Sequence, residues 1–431
     1  MGVAASPGPA ARLGRPMPRN AAARAARAPA GARTDGGRPP TCAFDEYHAE
    51  VYGHERWYAS IRPALARPLR HCGMHLPYTQ HAHAAVDDAA VVSTRNVVTP
   101  ARTPVRSALI ETASTRAADV MENPYDSYVL DLASVAVAHA LRATPGERVL
   151  DMCSAPGGKA LALAAAMFPW RQWVERDVAP AKGDDDDDGA GSEGGGLDDC
   201  DDDGPPQSQP SEPPFPRSAL TLSEASSERR QRLTRTLRDH LPERLFHWRN
   251  VRVADNVNDA AEWGHKAPSA FDRVLLDAPC TGERHLVLSA AKQQRDAVLP
   301  LVDWSVARCR RDAERQMKLL VSALRAVRVG GVVVYATCSI CPAENDAVVR
   351  KVLSRIAPAG EVEVRKDDAA AAAAAAPADA LAELPDVASV PQACAWLVAR
   401  SEPTPCGGRI ALPDRCDGFG PLFWCRSRSR R

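Results

Sequence analysis

Two cysteines directly follow apolar runs in this sequence, and a cysteine in that position can act as a nucleophile. Cys338 follows VVVYAT and Cys280 follows RVLLDAP. A thiolate attacks carbon well when it is lightly hydrated and has a cationic group beside it, as Lys159 would provide. Because neighbouring parallel strands end at one edge of a sheet, we expect both cysteines to open into one crevice.

The elements that must position these residues alternate between strand and helix patterns from residue 126 onward. The strand pattern RVLDM is followed by a turn with Gly157 and Gly158 and then by an alanine-rich helix. Further strand patterns end near Glu224, near Asp255 and near Asp277. This alternation predicts an α/β sheet of the Rossmann-like type, with a ligand site where the glycine turn opens the helix.

Composition limits the class of protein. The chain has 431 residues, 45% of them hydrophobic, and no apolar run reaches the ~18 residues that a membrane span needs. The formal net charge is zero only because residues 183–203 hold 11 acidic residues and no basic ones. The remainder of the chain is therefore basic, as expected of a protein that binds a polyanion.

Three regions are predicted along the chain. Residues 1–41 are rich in Arg, Ala, Pro and Gly and have their first acidic residue at Asp35, which indicates a disordered transit peptide or simply a basic tail. Residues 42–125 are predicted to be a helical, RNA-contacting region, and residues 126–431 the catalytic domain. Within that domain we expect a disordered acidic insertion at 171–216 and an alanine-rich loop at 366–390.

The cysteine pattern does not indicate a metal site. Cys338 and Cys341 form a C-x-x-C, but a zinc site needs a second pair of ligands at suitable spacing, and none is found. We therefore predict no metal. The chain has 12 cysteines without even spacing, which indicates a reducing compartment.

Three motifs resemble a known family. LDMCSAPGGK, DAPCTGER and VVYATCSICPAEN, in that order, resemble the Sun (Fmu-type) family of S-adenosylmethionine-dependent RNA cytosine-5 methyltransferases over roughly residues 126–355. LPDRCDGFGPLFWCR (412–426) is similar to the closing hairpin of that family. The resemblance implies the Rossmann-like sheet of class I methyltransferases and S-adenosylmethionine as the cofactor.

The resemblance also implies catalytic roles. Cys338 would be the nucleophile that adds to carbon 6 of a flipped cytosine, so that carbon 5 can accept the methyl group. Asp277 would hydrogen-bond the base edge, and Lys159 would lie near the same base. Cys280 would assist breakdown of the covalent adduct and release of the product.

The implied cofactor contacts come from four strand ends. Glu224, where the family usually has Asp, would hold the ribose, and Arg229 would lie close to the cofactor. The acid after the third strand is ambiguous, with Asp259 taken first and Asp255 second. The full set of predicted cofactor residues is Cys153, Ser154, Ala155, Pro156, Gly157, Gly158, Lys159, Glu224, Arg229, Asp259 and Asp277.

The substrate prediction is RNA, with no membrane partner. The organellar branch of the family gives the nearest resemblance, and the Arg284–His285 pair favours mitochondrial ribosomal RNA over mitochondrial transfer RNA. An accessory protein could supply specificity. The mitochondrial matrix is the favoured location, with plastid, nucleus and cytoplasm as alternatives.

Two rival functions stay open. A DNA cytosine-5 methyltransferase would use Cys280 as its nucleophile and leave Cys338 unexplained. An RNA-binding ribosome-assembly factor would keep the fold and turn over little.

Overall fold

The computed structural model describes residues 43–76, 78, 91–93, 127–169, 217–255, 259–292, 303–356, 362–365, 384 and 387–430. The predicted transit peptide at 1–41, the acidic insertion at 171–216 and residues 366–383 of the predicted loop lie outside the described residues. None of the helices described is long and apolar enough to cross a bilayer.

The described strands and helices are numbered in chain order. The strands are β1 Cys72–His75, β2 Val91–Ser93, β3 Ser127–Leu130, β4 Arg148–Asp151, β5 Ala219–Leu222, β6 Val251–Val253, β7 Phe271–Asp277, β8 Val327–Thr337, β9 Val362–Arg365, β10 Val387–Ser389, β11 Glu402–Pro403, β12 Arg409–Ala411 and β13 Leu422–Ser429. The helices are α1 Ala43–Tyr52, α2 His54–Arg56, α3 Arg62–Ala66, α4 Leu132–Ala140, α5 Gly158–Met167, α6 Ser227–His240, α7 Glu243–His247, α8 Trp263–Lys266, α9 Glu283–Lys292, α10 Val306–Ala326, α11 Asp346–Ile356 and α12 Val390–Arg400. A π-helical turn, Trp57–Ile61, joins α2 to α3, and a 3₁₀ turn, Ala260–Glu262, precedes α8.

The central sheet has the order β6-β5-β4-β7-β8-β13, with β12 and β11 beyond. Strands β4 to β8 pair in parallel, whereas β13 runs antiparallel to β8. Strand β9 also pairs antiparallel with β13, so it runs in the same direction as β8. Helices cross between the parallel strands, and the predicted Rossmann-like α/β sheet is confirmed.

Apolar side chains cover both faces of this sheet. Along β7, Leu275 packs in one core cluster while Val274 and Leu276 pack in the other, because successive side chains of a strand point to opposite faces. Helices α4, α5, α6 and α12 cover the first face, and α1, α10 and α11 cover the second. The sheet is therefore buried on both sides, and polar side chains concentrate at its edges.

The N-terminal helices share the core of the central sheet. Trp57, Ile61 and Leu65 are fully buried in the same cluster as Phe271 and Tyr335. The hydroxyl of Tyr52 donates a hydrogen bond to the Ile340 carbonyl at 2.6 Å, just after β8. The predicted helices are present at 43–66, and their contact with RNA stays a prediction.

A second, four-stranded sheet of order β10-β2-β1-β3 changes one predicted boundary. Residues 387–390 are not part of a loop, because Val387–Ser389 pairs with Val91–Ser93 and α12 begins at Val390. Single-sequence reading missed this short strand because its pairing partner lies far away in the chain. The predicted closing hairpin is formed by β12 and β13, with residues 412–421 as its connection.

Candidate active site

The structure brings the two cysteines together. Strands β7 and β8 are parallel neighbours, with Asp277 opposite Ala336, so both cysteines follow strands that end at the same edge. The Sγ atoms of Cys280 and Cys338 are 3.1 Å apart, and both residues are half-buried. The hydrogen bond to Cys338, together with burial, raises the pKa of the Cys280 thiol. Either thiol can donate in this hydrogen bond.

Lys159 and Asp277 form an ion pair at the same edge. The Lys159 Nζ is 2.8 Å from the Asp277 carboxylate and donates to the Ser134 hydroxyl at 3.1 Å. Burial lowers the pKa of Lys159, but the carboxylates of Asp277 and Asp151 outweigh burial and raise it overall. The ammonium group therefore stays charged beside Asp277.

The glycine turn after β4 approaches its neighbours too closely for side chains. Gly157 has φ +120°, and a Cβ there would lie 3.0 Å from Thr236 Cγ2. A Cβ on Gly158 would lie 2.8 Å from the ring of Tyr128. Both glycines are thus required by backbone conformation or space, and the amides that open α5 face the carboxyl edge of the sheet.

Arg229 connects Glu224 to that turn. Glu224 lies two residues beyond β5 and is buried, and its Oε1 accepts a hydrogen bond from the Ser226 amide at 3.1 Å. The Arg229 guanidinium lies 3.4 Å from the other carboxylate oxygen and donates to the Ala155 carbonyl at 3.1 Å. Three predicted cofactor residues, Ala155, Glu224 and Arg229, therefore meet in one place.

The two candidate acids after β6 have different surroundings. Asp259 uses its carboxylate to cap the 3₁₀ turn, accepting a hydrogen bond from the Ala261 amide at 3.0 Å. Asp255 is exposed and lies two residues beyond β6, the same spacing that Glu224 has after β5. This spacing favours Asp255 as the cofactor contact after β6, whereas the sequence favours Asp259.

The surroundings of Asp151, at the end of β4, show whether this part of the crevice fits a cationic ligand. Asp151 is 1% exposed, and neither carboxylate oxygen accepts a well-formed hydrogen bond from the described residues. Burial, and then the charge of Asp277, raise the pKa of Asp151 to about 7, while Lys159, the Ser154 hydroxyl and the Cys153 amide lower it only in part. A buried carboxylate of this kind is suited to a ligand that carries a positive charge. The residues therefore fit S-adenosylmethionine, whose sulfonium and amino groups are cationic.

Sequence reasoning missed a polar network behind the cysteines. Glu283, Glu344, Thr281 and Ser339 are all buried and bond to one another. The sequence indicated these residues only through their positions inside the DAPCTGER and TCSICPAEN motifs. Arg284 is also buried and donates to the carbonyls of Gly418 and Gly420, so it fixes the 412–421 connection. It is therefore not exposed for contact with RNA.

Three buried residues, Cys309, Cys341 and Glu344, have donor atoms within 4.8 Å of one another. The Oε2 of Glu344 already accepts hydrogen bonds from the Thr281 amide at 3.0 Å and from Gln316 at 2.8 Å. Its Oε1 contacts the hydroxyls of Thr281 and Ser339. A metal ion would have to displace these donors.

The fold, with parallel strands, a reversed β13 and a glycine turn after β4, is the Rossmann-like α/β sheet that the sequence predicts. A family model described as 16S rRNA methyltransferase RsmB/F matches residues 216–387. Over these residues the chain is similar to rRNA methyltransferases of the RsmB/F type, in line with the resemblance of the three motifs.

Curated proteins and a solved structure are similar to this chain. It is 27% identical over 308 residues to the 5-cytosine rRNA methyltransferase NSUN4 of Xenopus tropicalis, covering 69% of this chain and 55% of that protein. It is 30% identical over 233 residues to the mitochondrial tRNA (cytosine(34)-C(5))-methyltransferase of Danio rerio, covering 53% and 46%. The crystal structure of PH0851 superposes with a TM-score of 0.51 at 17% identity, covering 90% of this chain and 65% of that one, and shares the fold. The chain spans about half the length of the curated relatives it matches.

Proposed function

We propose that this protein is an S-adenosylmethionine-dependent RNA cytosine-5 methyltransferase that works through a covalent adduct on Cys338. The main support is the pair of cysteine sulfurs, 3.1 Å apart, after the strand ends that also carry Asp277, whose ion-pair partner is Lys159 of α5. Carbon 5 of cytosine is a poor nucleophile, and addition of a thiolate to carbon 6 divides one difficult step into easier ones.

The proposed reaction uses each group in turn. The Cys338 thiolate forms a bond to carbon 6, and the displaced electron pair enriches carbon 5. The added electrons place negative charge on the base, which the Lys159 ammonium offsets, while Asp277, held by Lys159, accepts a hydrogen bond from the amino group at the base edge. The bound cofactor supplies an electrophilic methyl group. Loss of the carbon 5 proton to a base then returns an electron pair that expels the Cys338 thiolate.

The two cysteines have different roles in this proposal. Cys338 is the nucleophile, as the resemblance of its motif implies. Cys280 lies 3.1 Å from it, with a thiol pKa that is raised by the hydrogen bond between the sulfurs and by burial. A DNA cytosine-5 methyltransferase would instead use Cys280 as the nucleophile.

The cofactor would lie along one side of the same crevice. Residues 153–159 would hold the methionine part, with Asp151 beneath it as the counter-charge for its cationic groups. Glu224 would accept hydrogen bonds from the ribose, with Arg229 holding Glu224 in place. Asp255 or Asp259 would contact the adenine region.

Relatives suggest the substrate and location. The name of the Xenopus relative specifies rRNA, and that of the Danio relative specifies mitochondrial tRNA. We propose a mitochondrial enzyme of the matrix that acts on ribosomal RNA, with transfer RNA as the second candidate. An accessory protein that supplies RNA specificity is part of the proposal, since the described N-terminal helices pack on the catalytic core itself.

Bisulfite sequencing of organellar and total RNA tests this function. Cells carrying the wild-type protein, Cys338→Ala or Cys280→Ala would be compared. Loss of protection at one cytosine in the Cys338→Ala cells identifies the substrate, and Cys280→Ala is expected to accumulate a protein–RNA adduct. If the adduct depends on Cys280 and survives Cys338→Ala, the assignment of the nucleophile is wrong. If no cytosine changes while ribosomes fail to assemble on depletion, the protein is an assembly factor.

A further inference from the structure

The loops that carry the two cysteines are joined by a cluster of four side-chain oxygens. Thr281 Oγ1, next to Cys280, lies 2.6 Å from Glu283 Oε1 and also contacts Glu344 Oε1. Ser339 Oγ, next to Cys338, lies 2.9 Å from Glu283 Oε1 and 3.1 Å from Glu344 Oε1. These four oxygens, which we name the inner cluster, cross-link the loop after β7 to the loop after β8.

The hydroxyl protons cannot satisfy the inner cluster. Two hydroxyls make four close contacts with two carboxylate oxygens, and a contact is a hydrogen bond only where a proton lies between its oxygens. Thr281 and Ser339 together supply two protons. If both carboxylates were ionised, two of the contacts would place acceptor against acceptor inside the protein, which is costly, whereas one added proton reduces these to a single contact.

The outer carboxylate oxygens cannot carry the missing proton. Glu344 Oε2 accepts hydrogen bonds from the Thr281 amide and from Gln316 Nε2, and Glu283 Oε2 accepts from the Ile340 amide at 3.1 Å. An oxygen that faces N–H donors acts as an acceptor. The missing proton therefore belongs on one of the two inner oxygens.

We propose that Glu283 and Glu344 share one proton within the inner cluster at neutral pH, and that this protonated pair positions Cys280 and Cys338. Glu283 and Glu344 are then positioning residues, since they bond to the residues next to the cysteines. The proposal rests on the proposed function only for its effect on methyl transfer.

The groups around the pair favour a retained proton. Glu283 interacts electrostatically with side chains that are neutral or negative. They include Glu344, Cys280, Cys309 and Tyr52. Burial, and then the charge of Glu344, raise the pKa of Glu283 to about 7. Loss of the shared proton above that pH would leave two buried negative charges side by side and would loosen both loops.

Infrared difference spectroscopy of the full-length protein tests the proton directly. The spectra are recorded in an Asp151→Asn background, because Asp151 also has a pKa of about 7 and would give a band of its own. In that background a carbonyl band of a protonated carboxylic acid is expected at pH 6, fading as the pH rises through about 7. Adding Glu283→Gln should remove the band, because the glutamine amide supplies protons to the cluster, and adding Glu344→Gln should do the same. The exposed Glu314→Gln is the matched control and should keep it. A spectrum of the Asp151→Asn protein without the band, or an unchanged band in both cluster variants, would overturn the shared proton.

Thiol reactivity and kinetics test the positioning. Alkylation of Cys280 and Cys338 by iodoacetamide, followed by mass spectrometry, should rise above pH 7 more than thiol ionisation explains in wild type but not in Glu283→Gln. Glu283→Ala should lower kcat on the order of a hundredfold, as expected when a reacting group shifts by about 1 Å. Glu283→Gln should retain most of kcat and lose the alkaline decline.

The readouts separate failure of the two proposals. If the band and the alkylation profile behave as described but no RNA is methylated, the proposed function fails and the cluster stands. If methylation proceeds and Glu283→Ala leaves both kcat and alkylation unchanged, the positioning role fails.

Discussion

The two halves of the crevice treat their buried carboxylates in opposite ways. On the cofactor side, neither oxygen of Asp151 accepts a well-formed hydrogen bond from the described residues. On the cysteine side, Glu344 Oε2 accepts hydrogen bonds from the Thr281 amide and from Gln316, and Oε1 contacts the Thr281 and Ser339 hydroxyls. A buried charge with few hydrogen bonds costs folding energy unless a ligand compensates it, whereas a hydrogen-bonded carboxylate holds loops together. In the proposed function, the first side receives the cofactor and the second holds the nucleophile.

The largest expected effect concerns the nucleophile on the cysteine side. Cys338→Ala should lower methyl transfer to RNA by more than about a thousandfold, because the proposed bond to carbon 6 is formed by the Cys338 sulfur. Transfer of labelled methyl groups from S-adenosylmethionine to RNA measures it. On the cofactor side, Cys153→Ala removes a thiol whose pKa is raised by burial, and should change mainly the KM for the cofactor. Equal losses of methyl transfer in Cys338→Ala and Cys153→Ala would show that the two sides of the crevice do not differ in this way.

Removing the hydrogen-bonded carboxylate of Glu344 should destabilise the protein. Glu344→Ala leaves the Thr281 amide and the Gln316 amide without their buried acceptor, so we expect a loss of about 3 kcal/mol in the free energy of unfolding. Urea denaturation measures this change. The exposed Glu314→Ala should stay within about 0.5 kcal/mol of wild type. A similarly small effect for Glu344→Ala would mean that the network does not hold the loops.

Neutralising Asp151 should change the free energy of unfolding in the opposite direction. The folded pKa of Asp151, about 7, lies above its ordinary value of 3.8, so its burial costs stability as pH rises through that window and costs most above pH 7. Asp151→Asn should therefore stabilise the free protein by about 2 kcal/mol at pH 8 and little below pH 4.

Thermal unfolding with and without S-adenosylmethionine completes that test. The wild-type protein should gain more from the cofactor at pH 8 than at pH 6, because an ionised Asp151 binds a cationic ligand better. Asp151→Asn should lose this pH dependence. A destabilised Asp151→Asn with unchanged cofactor binding would show that Asp151 is structural.

The smallest effect is expected at Arg229. Its guanidinium is 52% exposed and pairs with Glu224 at 3.4 Å, so Arg229→Ala should change the free energy of unfolding by about 0.5 kcal/mol or less. The same change should raise the Kd for the cofactor, because Arg229 also contacts the Ala155 carbonyl and Glu224. Isothermal titration with S-adenosylmethionine measures this Kd, and an unchanged value would show that Arg229 is not part of the cofactor site.

The sequence by itself determined the parts of the site that lie within one turn or at one strand end. Hydrophobic periodicity placed β4, β7 and β8, and the glycine turn and both cysteines follow directly from those strands. These features are local, because a strand, its turn and the next helix occupy consecutive residues. The catalytic and cofactor roles came from the motifs, and they remain predictions for experiment.

Only the tertiary structure decided how the polar groups pair. Thr281 and Glu344 are 63 positions apart, and nothing in either motif shows that they bond. The same holds for β10, whose partner β2 lies far away in the chain, and for Arg284, which is buried against the 412–421 connection rather than exposed. The number of hydrogen-bond donors around a buried carboxylate depends on which loops the sheet brings together. Packing across the whole chain decides which loops those are.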